Sequence, residues 1–402
     1  MTQRRYYGDS YTRRFSSQLS SIAPAEGGYA AVLEATYFYP TSGGQPHDTG
    51  RLGAAGVLDV SVRESDDAVV HLLDRVIEPG PVEGHIDWGR RFDHMQQHTG
   101  QHILSQAFIR IADAPTIGFH LGAERVSIDL GIADLSDARI AEAAALANQV
   151  ISGNHAVRAW FPEAGELESL NLRKQPDVKG PIRVVAIGDF DLSACGGTHV
   201  AATGEIGLVA VLGVERLKRG VRIEFLCGGR ARGDYANKHA ILQDVAGSLT
   251  CAPAELGASV ARLKDALQQA RKALAVHRER ELDAEAMELL QRAANRNGIR
   301  VVTAAWSERP IEEAKGLAQR LTSAPAAVAL LGIAGARTQL LLGRSEDVAV
   351  DFKPVVDRVL AELGGGRGGG GRLWQGAAGP ADLAGVERAL AAGLSVVAGA
   401  AP

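Results

Sequence analysis

Several features that would direct this chain to an oxidising compartment or a membrane are absent from its sequence. Only three cysteines occur among 402 residues, which excludes a disulfide framework and favours a reducing cytoplasm. No apolar run approaches the roughly 18 residues of a membrane span, and the polar, basic N-terminus is not a secretory signal. The net charge of −4 argues against a uniformly basic nucleic-acid wrapper and permits local basic patches.

Two hydrolase motifs are missing as well. Thr99 follows His98, so the segment lacks the glutamate of the His-Glu-x-x-His motif of metalloproteases. Asp93-His94-Met95 is not the Asp-His-His run of the phosphoesterases that are named after it, which disfavours that activity.

What the sequence does contain is two histidine motifs, about a hundred residues apart, that together predict one zinc site. His98 and His102 are four residues apart and would present two imidazoles on one face of a helix. Cys195 and His199 are separated by Gly-Gly-Thr, and the glycines allow a tight loop that brings both side chains to one point. Either motif alone is common. Three imidazoles and one thiolate together suit zinc better than hard, oxygen-preferring ions.

The pattern around the first motif predicts a helix over residues 91–111. His94, His98 and His102 would share one side and face away from the core, which suits the wall of a wet pocket. His94 is interpreted as a residue that supports the site or lies at the surface, since four ligands are available without it. The opposite side is apolar: Ile103, Leu104, Ala107, Phe108 and Ile111.

A loop over residues 36–50 follows the first predicted strand. Its composition fits an ordinary glycine- and proline-rich turn. It also fits a binding loop, because Gly43 and Gly44 would let backbone amides approach a ligand while Thr36 and Gln45 offer side-chain hydrogen bonds.

At 402 residues, two or three domains are expected, and the pattern predicts an α+β class with four segments. Residues 1–90 form a β-rich, barrel-like N-terminal subdomain, and residues 91–235 an α+β zinc-binding domain. Residues 236–297 are a helical connector, and residues 298–402 a C-terminal α/β domain with a glycine-rich loop. In the first two segments we expect strands over residues 29–36, 56–62, 68–73, 125–130 and 183–187, a helix over 136–152, and a hairpin over 207–226.

A long helical segment is predicted over residues 231–297. It carries a heptad seam of fewer than three heptads, which fits an intrachain helical hairpin and a homodimeric coiled coil about equally. The residues of this seam are Leu256, Val260, Leu263, Leu267, Ala270 and Leu274.

The last hundred residues are predicted to hold strands over 299–305, 326–333 and 338–342, with helices over 310–321 and 351–363. A loop over residues 364–376 then joins a final helix. So many glycines fit a flexible linker. The loop also fits a phosphate site, in which Arg367 and Arg372 would hold phosphates beside a stacking Trp374.

These motifs together resemble the editing domain of alanyl-tRNA synthetases and the free-standing AlaX alanyl-tRNA editing proteins, of the long type. The resemblance rests on His98-Thr-x-x-His102, Cys195-Gly-Gly-Thr-His199 and the loop from Thr36 to Gly50. Residues 364–376 resemble the glycine-rich loop of the C-terminal, DHH-associated domain. The chain departs from the family at Ser42, where a glycine is common, and at Ala194, where synthetases often have a second cysteine.

The resemblance implies a deacylase that hydrolyses alanine tRNA mischarged with serine or glycine, with one zinc ion per chain. Fewer than thirty residues precede the β subdomain, so editing in trans is expected. By similarity, Thr36 would meet the serine hydroxyl and Gln45 would orient the substrate. His120 and Glu124 are further candidate pocket groups, although the sequence favours a turn residue and a surface acid over that role. The candidate tRNA contacts are Lys218, Arg219, Arg222, Arg367 and Arg372.

Two other functions remain open from the sequence. One is a zinc-dependent hydrolase of another small ester, and the other is a non-catalytic tRNA-binding protein whose zinc is structural. Four protein ligands normally mark a structural site, whereas catalytic zinc keeps one position open.

Overall fold

The computed structural model describes residues 2–123, 125–163, 165–175 and 180–399, and it divides into two compact units, residues 1–248 and 249–402. Both units combine helices with sheets, as the sequence predicts. Within the described ranges, no helix is both long and apolar enough to cross a membrane.

The first unit begins with eight strands: β1 (Gln3–Arg4), β2 (Arg14–Ala25), β3 (Gly28–Leu33), β4 (Ala35–Thr36), β5 (Gly50–Leu52), β6 (Ala55–Arg63), β7 (Ala68–Leu73) and β8 (Pro81–Ile86). Six of them close into an antiparallel barrel in the order β2-β3-β7-β6-β5-β8. Alternate residues point inward and form an apolar core that includes Leu33, Leu52 and Val60.

The predicted strand over residues 29–36 is wrong in one respect, because it is two strands. The backbone leaves the barrel after Leu33, and the amide of Glu34 donates to the carbonyl of Gln18 at 3.0 Å. Ala35 and Thr36 then pair in parallel with β1. The following loop, residues 37–49, stays attached to the barrel, since the Thr41 amide donates to the carbonyl of Val60 on β6 at 2.9 Å.

The rest of the first unit contains α1 (Trp88–Ala112), β9 (Thr116–Leu121), β10 (Val126–Leu130), α2 (Asp137–Ser152), β11 (Val157–Trp160), α3 (Glu166–Ser169), β12 (Val184–Ile187), β13 (Asp191–Ala194), β14 (Val209–Leu217), β15 (Gly220–Cys227) and α4 (Gly228–Ser248). One antiparallel sheet has the order β14-β15-β10-β9, and a second has the order β11-β12-β13. An apolar core packs α1 and α2 against the first sheet through Leu104, Phe108 and Ile128.

The second unit contains α5 (Leu256–Gln291), β16 (Ala294–Arg296), β17 (Ile299–Trp306), α6 (Ile311–Ser323), β18 (Ala327–Ile333), β19 (Thr338–Arg344), α7 (Lys353–Glu362), β20 (Gly366–Gly369), β21 (Leu373–Ala378) and α8 (Leu383–Gly399). Its sheet has the order β16-β17-β18-β19-β21-β20, in which β17 and β18 are parallel and the other pairs are antiparallel.

The predicted helical segment over residues 231–297 consists of two helices, since α4 ends at Ser248 and α5 begins at Leu256, and its end is wrong, since α5 ends at Gln291 before β16. Thr250 has a left-handed backbone with φ of 52°, and Pro253 follows, so helical hydrogen bonding cannot continue through this segment. The heptad seam lies on α5. Leu263, Leu267 and Leu274 are each more than half exposed within the chain.

The glycine-rich segment is a β-hairpin and not the loop that the sequence predicts, because β20 and β21 pair within it. Close packing explains its composition. A Cβ atom on Gly368 would lie 2.3 Å from the carbonyl oxygen of Gln375, and one on Gly376 would lie 2.0 Å from the ring of Trp374. Only glycine permits these approaches without displacing backbone or ring.

Candidate metal centre and active site

Helix α1 positions the first two candidate ligands. The helix begins where the Asp87 side chain accepts a hydrogen bond from the Arg90 amide at 3.2 Å, and it ends at Asp113, whose φ is 52°. Both faces are buried, and His98 and His102 line a cavity, as expected of a stripe that forms a pocket wall. His98 and His102 are at most 3% exposed, and their ring centroids lie 5.2 Å apart.

The loop after β13 brings the other two ligands to the same place. Its backbone is held by the buried Arg183, whose guanidinium donates to the carbonyls of Cys195 at 3.1 Å and Gly197 at 2.8 Å. The loop passes so close to α1 that a Cβ atom on Gly197 would lie 2.1 Å from the His98 ring. Glycine at this position is therefore a condition for the two motifs to meet.

The four side chains that the sequence singled out converge. The candidate ligand atoms of His98, His102, Cys195 and His199 all lie within 4.8 Å of one another. The Cys195 Sγ is 3.4 Å from His98 Nε2 and 3.3 Å from His199 Nε2. Nitrogen and sulfur ligands around a tetrahedral zinc ion lie roughly 3.3–3.6 Å apart, so this spacing fits such an ion.

Each imidazole is anchored through its Nδ1 atom. The anchoring partners are Gln45 Oε1 for His98 at 2.8 Å, Asp191 Oδ2 for His102 at 3.1 Å, and Thr99 Oγ1 for His199 at 3.1 Å. Because these oxygens can all accept a hydrogen bond from Nδ1–H, they favour the tautomer whose Nε2 lone pair is free to bind a metal. Ligating histidines in metal proteins are commonly held in this way. The donor set and its supports therefore fit a metal ion.

The electrostatics favour ligating protonation states at Cys195 and His199, whereas at His102 burial lowers the pKa but the Cys195 thiolate and the Asp191 carboxylate raise it by more. Burial raises the pKa of the Cys195 thiol, but the His98, His199 and His102 rings lower it by more, and the pKa lies well below its usual value. Burial lowers the pKa of His199 to about 3, although the Cys195 thiolate opposes this shift. A thiolate and neutral imidazoles are the forms that bind a metal ion, in competition with protons.

An open cavity of about 770 Å³ lies beside the cluster, which is large enough for a small-molecule group. Phe119, from β9, covers part of it, with its ring 6.0 Å from the His98 ring. The same ring lies over Gly44, where a Cβ atom would meet it at 2.5 Å. Other lining residues are Tyr39, Ser42, Gly43, Gln101, His102, Thr116, Ile117, Arg173, Lys174, Ser193, Cys195, Gly196 and Gly197.

The two loop residues predicted to meet the substrate occupy different positions. Gln45 is fully buried, and besides His98 its side chain bonds the Thr198 amide at 3.0 Å and the Thr198 hydroxyl at 2.8 Å. Its observed contacts therefore orient a candidate ligand. The Thr36 hydroxyl is also buried, lies 2.9 Å from His71 Nε2, and accepts the amide proton of Phe38 at 3.1 Å. Thr36 is not among the residues that line the cavity.

Comparison with known proteins decides the family. Residues 182–224 match the family described as threonyl and alanyl tRNA synthetase second additional domain. The alanyl-tRNA editing protein AlaX-L of Pyrococcus horikoshii is 30% identical over 390 residues, which cover 94% of this chain and 94% of that protein. This chain belongs to the AlaX-type alanyl-tRNA editing family.

Two further relatives match shorter parts. The alanyl-tRNA editing protein Aarsd1 of Mus musculus is 32% identical over 276 residues, 64% of this chain and 66% of that protein. The alanine–tRNA ligase of Pyrococcus furiosus is 34% identical over 289 residues, which cover 67% of this chain. The match spans 31% of the ligase, about a third of its length.

The remaining candidate residues of this AlaX-type chain lie outside the cluster. His94 is 3% exposed and is not one of the converging ligands. His120 is exposed on β9 and does not line the cavity beside the cluster, while its neighbour Phe119 does. The alternation of side chains along a strand explains this difference. Glu124 lies outside the described residues.

The candidate tRNA-binding cations differ in their surroundings. Lys218 and Arg219 are exposed at the β14–β15 turn. Arg222 forms a two-pronged ion pair with Asp129 at 2.7 and 2.9 Å. In the second unit, Arg367 is exposed on β20, and Arg372 lies 2.9 Å from Glu346.

Sequence reasoning missed the residues that support the ligands. Asp191 lies four residues before Cys195, and its carboxylate bonds His102 from 89 positions away in the chain. Thr99 was treated only as the residue in place of a catalytic glutamate, but it supports His199. Arg183 was predicted to begin a strand, and it clamps the cysteine loop. The pairing of β12 with β13, which the sequence does not specify, places Arg183 and Asp191 beside the cysteine loop.

Proposed function

We propose that this chain hydrolyses the ester of alanine tRNA mischarged with serine or glycine, and that it acts in trans. One observation carries the proposal: a His-His-Cys-His cluster, anchored by three internal hydrogen bonds, opens onto a cavity in a chain that matches an alanyl-tRNA editing protein along 94% of its length.

The need for such an activity is physical. A synthetic site shaped for the alanine methyl group rejects glycine weakly, because one methylene is worth only about 1–3 kcal/mol. It also rejects an added hydroxyl weakly, so serine enters. A second site, which tests the product after it has formed, restores the accuracy that the first site cannot supply.

The four ligands fit zinc through their chemistry and spacing, and the residues that would hold it are His98, His102, Cys195 and His199. When bound, zinc supplies Lewis acidity, which polarises an ester carbonyl or lowers the pKa of a water molecule. The three imidazoles are at most 5% exposed, whereas Cys195 is half-buried. His98, His102 and Cys195 line the cavity that a substrate would enter.

The chain's own groups would position the ester. Gly43 and Gly44 have φ values of 52° and 81° and leave bare backbone at the cavity wall, where an amide can approach a substrate oxygen. Phe119 shields the cluster from water on one side. Lys174 lines the same cavity and favours an anionic substrate such as a tRNA end, whereas Arg173 is paired with Asp191 at 3.2 Å. Recognition of serine by Thr36 stays a prediction, and it requires the hydroxyl to reach the cavity.

The test compares the deacylation of Ser-tRNA(Ala), Gly-tRNA(Ala) and Ala-tRNA(Ala) by the wild type. The proposal expects faster turnover of at least one mischarged form, loss of that turnover in Cys195→Ser, and full turnover in the matched variant Cys251→Ser. Equal rates on mischarged and correct tRNA would point to a general ester hydrolase. Binding of tRNA without turnover would point to a non-catalytic protein with a structural metal.

A further inference from the structure

A second cavity, of about 880 Å³, meets the one beside the cluster at the cysteine loop. Lys174, Cys195 and Gly196 line both cavities. A ligand whose reacting group lies at the cluster can therefore extend into either space. Apart from Lys174, Arg183 and Cys195, whose roles are described above, the proposed function leaves the lining of the second cavity unexplained.

The lining of the second cavity combines aromatic rings with cations. Phe161 is 46% exposed, and its ring stands nearly perpendicular to that of Tyr7, with 5.7 Å between their centroids. The Tyr7 ring reaches the cysteine loop, since a Cβ atom on Gly196 would contact it at 3.7 Å. Lys174 also lines the cavity, as does Arg4, which is paired with the carboxylate of Asp67 at 2.5 Å.

Aromatic rings beside cations are the groups that bind single-stranded nucleic acid. A base stacks on an aromatic face, and a cation pairs with a phosphate. The position fits as well as the chemistry. In an aminoacyl-tRNA, the ribose of the last nucleotide lies between its base and the ester. In this protein, the cysteine loop lies between the aromatic pair and the cluster.

We propose that this second cavity binds the terminal nucleoside of the tRNA substrate, with its base against Phe161 and Tyr7 and its phosphate near Lys174. The inference rests on the proposed deacylase function and adds a binding site for the nucleoside. The acyl group then occupies the cavity beside the cluster, and the loop from Cys195 to Gly197 separates the two ends of the substrate.

The test uses two ligands that differ only in the nucleoside. One is 3′-amino-3′-deoxyadenosine acylated with serine through a stable amide, and the other is serine methylamide. We expect the wild type to bind the nucleoside ligand more tightly. Phe161→Ala should weaken that binding roughly 5- to 150-fold, the range for loss of one base-stacking contact. Tyr235→Ala removes an aromatic side chain that is 67% exposed on α4, and it should leave the affinity unchanged.

Turnover of two esters separates this inference from the proposed function. We expect Phe161→Ala to raise the KM for 2′(3′)-O-seryl-adenosine and to leave the hydrolysis of serine methyl ester as in the wild type. If the wild type hydrolyses neither ester nor Ser-tRNA(Ala), the proposed function fails. If it hydrolyses all three, and Phe161→Ala changes neither the affinity for the nucleoside ligand nor the KM, the function stands and the nucleoside site is wrong.

Discussion

Gln45 Oε1 lies 2.8 Å from Nδ1 of His98, a residue 53 positions later in the chain. The same oxygen accepts the amide proton of Thr198, so one buried amide joins the loop after β4, helix α1 and the cysteine loop. The relationship gives Gln45 a supporting role in addition to any contact with the substrate.

Removing that support should weaken metal binding without removing a ligand. Gln45→Ala leaves His98 free to rotate or change tautomer, and loss of such a partner typically lowers metal affinity about 10- to 100-fold. Competition for zinc against a chromophoric chelator measures the change. Gln268→Ala, at an exposed position on α5, is the control. Equal affinities in Gln45→Ala and the wild type would show that the amide does not support the site.

The ion pair between Arg91 and Asp48 should dominate the stability of this region. Both side chains are fully buried, and the Arg91 Nε lies 3.0 Å from each carboxylate oxygen. Asp48→Ala leaves a buried charge without its partner, which costs about 3–5 kcal/mol. Asp134→Ala breaks an exposed pair with Arg216 and should cost less than about 1 kcal/mol. Urea denaturation tests the contrast, and equal losses in the two variants would contradict it.

The buried His71 predicts a stability loss in acid. Burial lowers its pKa from 6.5 to about 4, so the native state excludes a proton that the unfolded chain binds. The contribution of neutral His71 to the free energy of unfolding is complete above pH 6.5 and is lost as the pH falls toward 4. The loss between pH 6.5 and 5 is about 2 kcal/mol. The free energy of unfolding should therefore fall further in the wild type than in His71→Gln over this interval. Parallel losses would show that His71 does not titrate in this way.

The exposed cations of the β14–β15 turn should contribute to tRNA binding through phosphate contacts. Replacing Lys218 and Arg219 together with alanine should weaken binding and reduce the slope of log affinity against log salt by about 2, one for each cation. Arg222→Ala should change the slope less, because Asp129 already neutralises Arg222. Filter binding across a salt series measures both. An unchanged slope in the double variant would place the tRNA elsewhere.

Local patterns in the sequence predicted the parts of the site that depend on short spacing. The four-residue repeat of His98 and His102 and the glycines between Cys195 and His199 predicted a cluster, and the structure brings all four residues together. Helix α2 begins one residue after the Ser136 cap, close to the start that the pattern predicted.

What the sequence did not reveal depends on long-range pairing. The support of His102 by Asp191 needs β13 to pack beside α1, and no local pattern encodes that contact. The glycine-rich segment reads as a linker by composition, yet β21 pairs with β19 as well as with β20, and tertiary pairing therefore orders it. The left-handed Thr250 carries no composition signal for the end of α4, whereas Pro253 is a helix-breaking signal that the sequence analysis did not use.

The most direct test of the proposed zinc-dependent deacylase is the metal content of the purified protein, measured beside its turnover of Ser-tRNA(Ala). We expect about one zinc ion per chain in the wild type and in His277→Ala, whose side chain is exposed on α5. We expect His98→Ala to lose both zinc and turnover. Wild-type protein stripped of zinc by a chelator should recover its turnover when zinc is restored. Full turnover by a metal-free wild-type protein would contradict the zinc-dependent function.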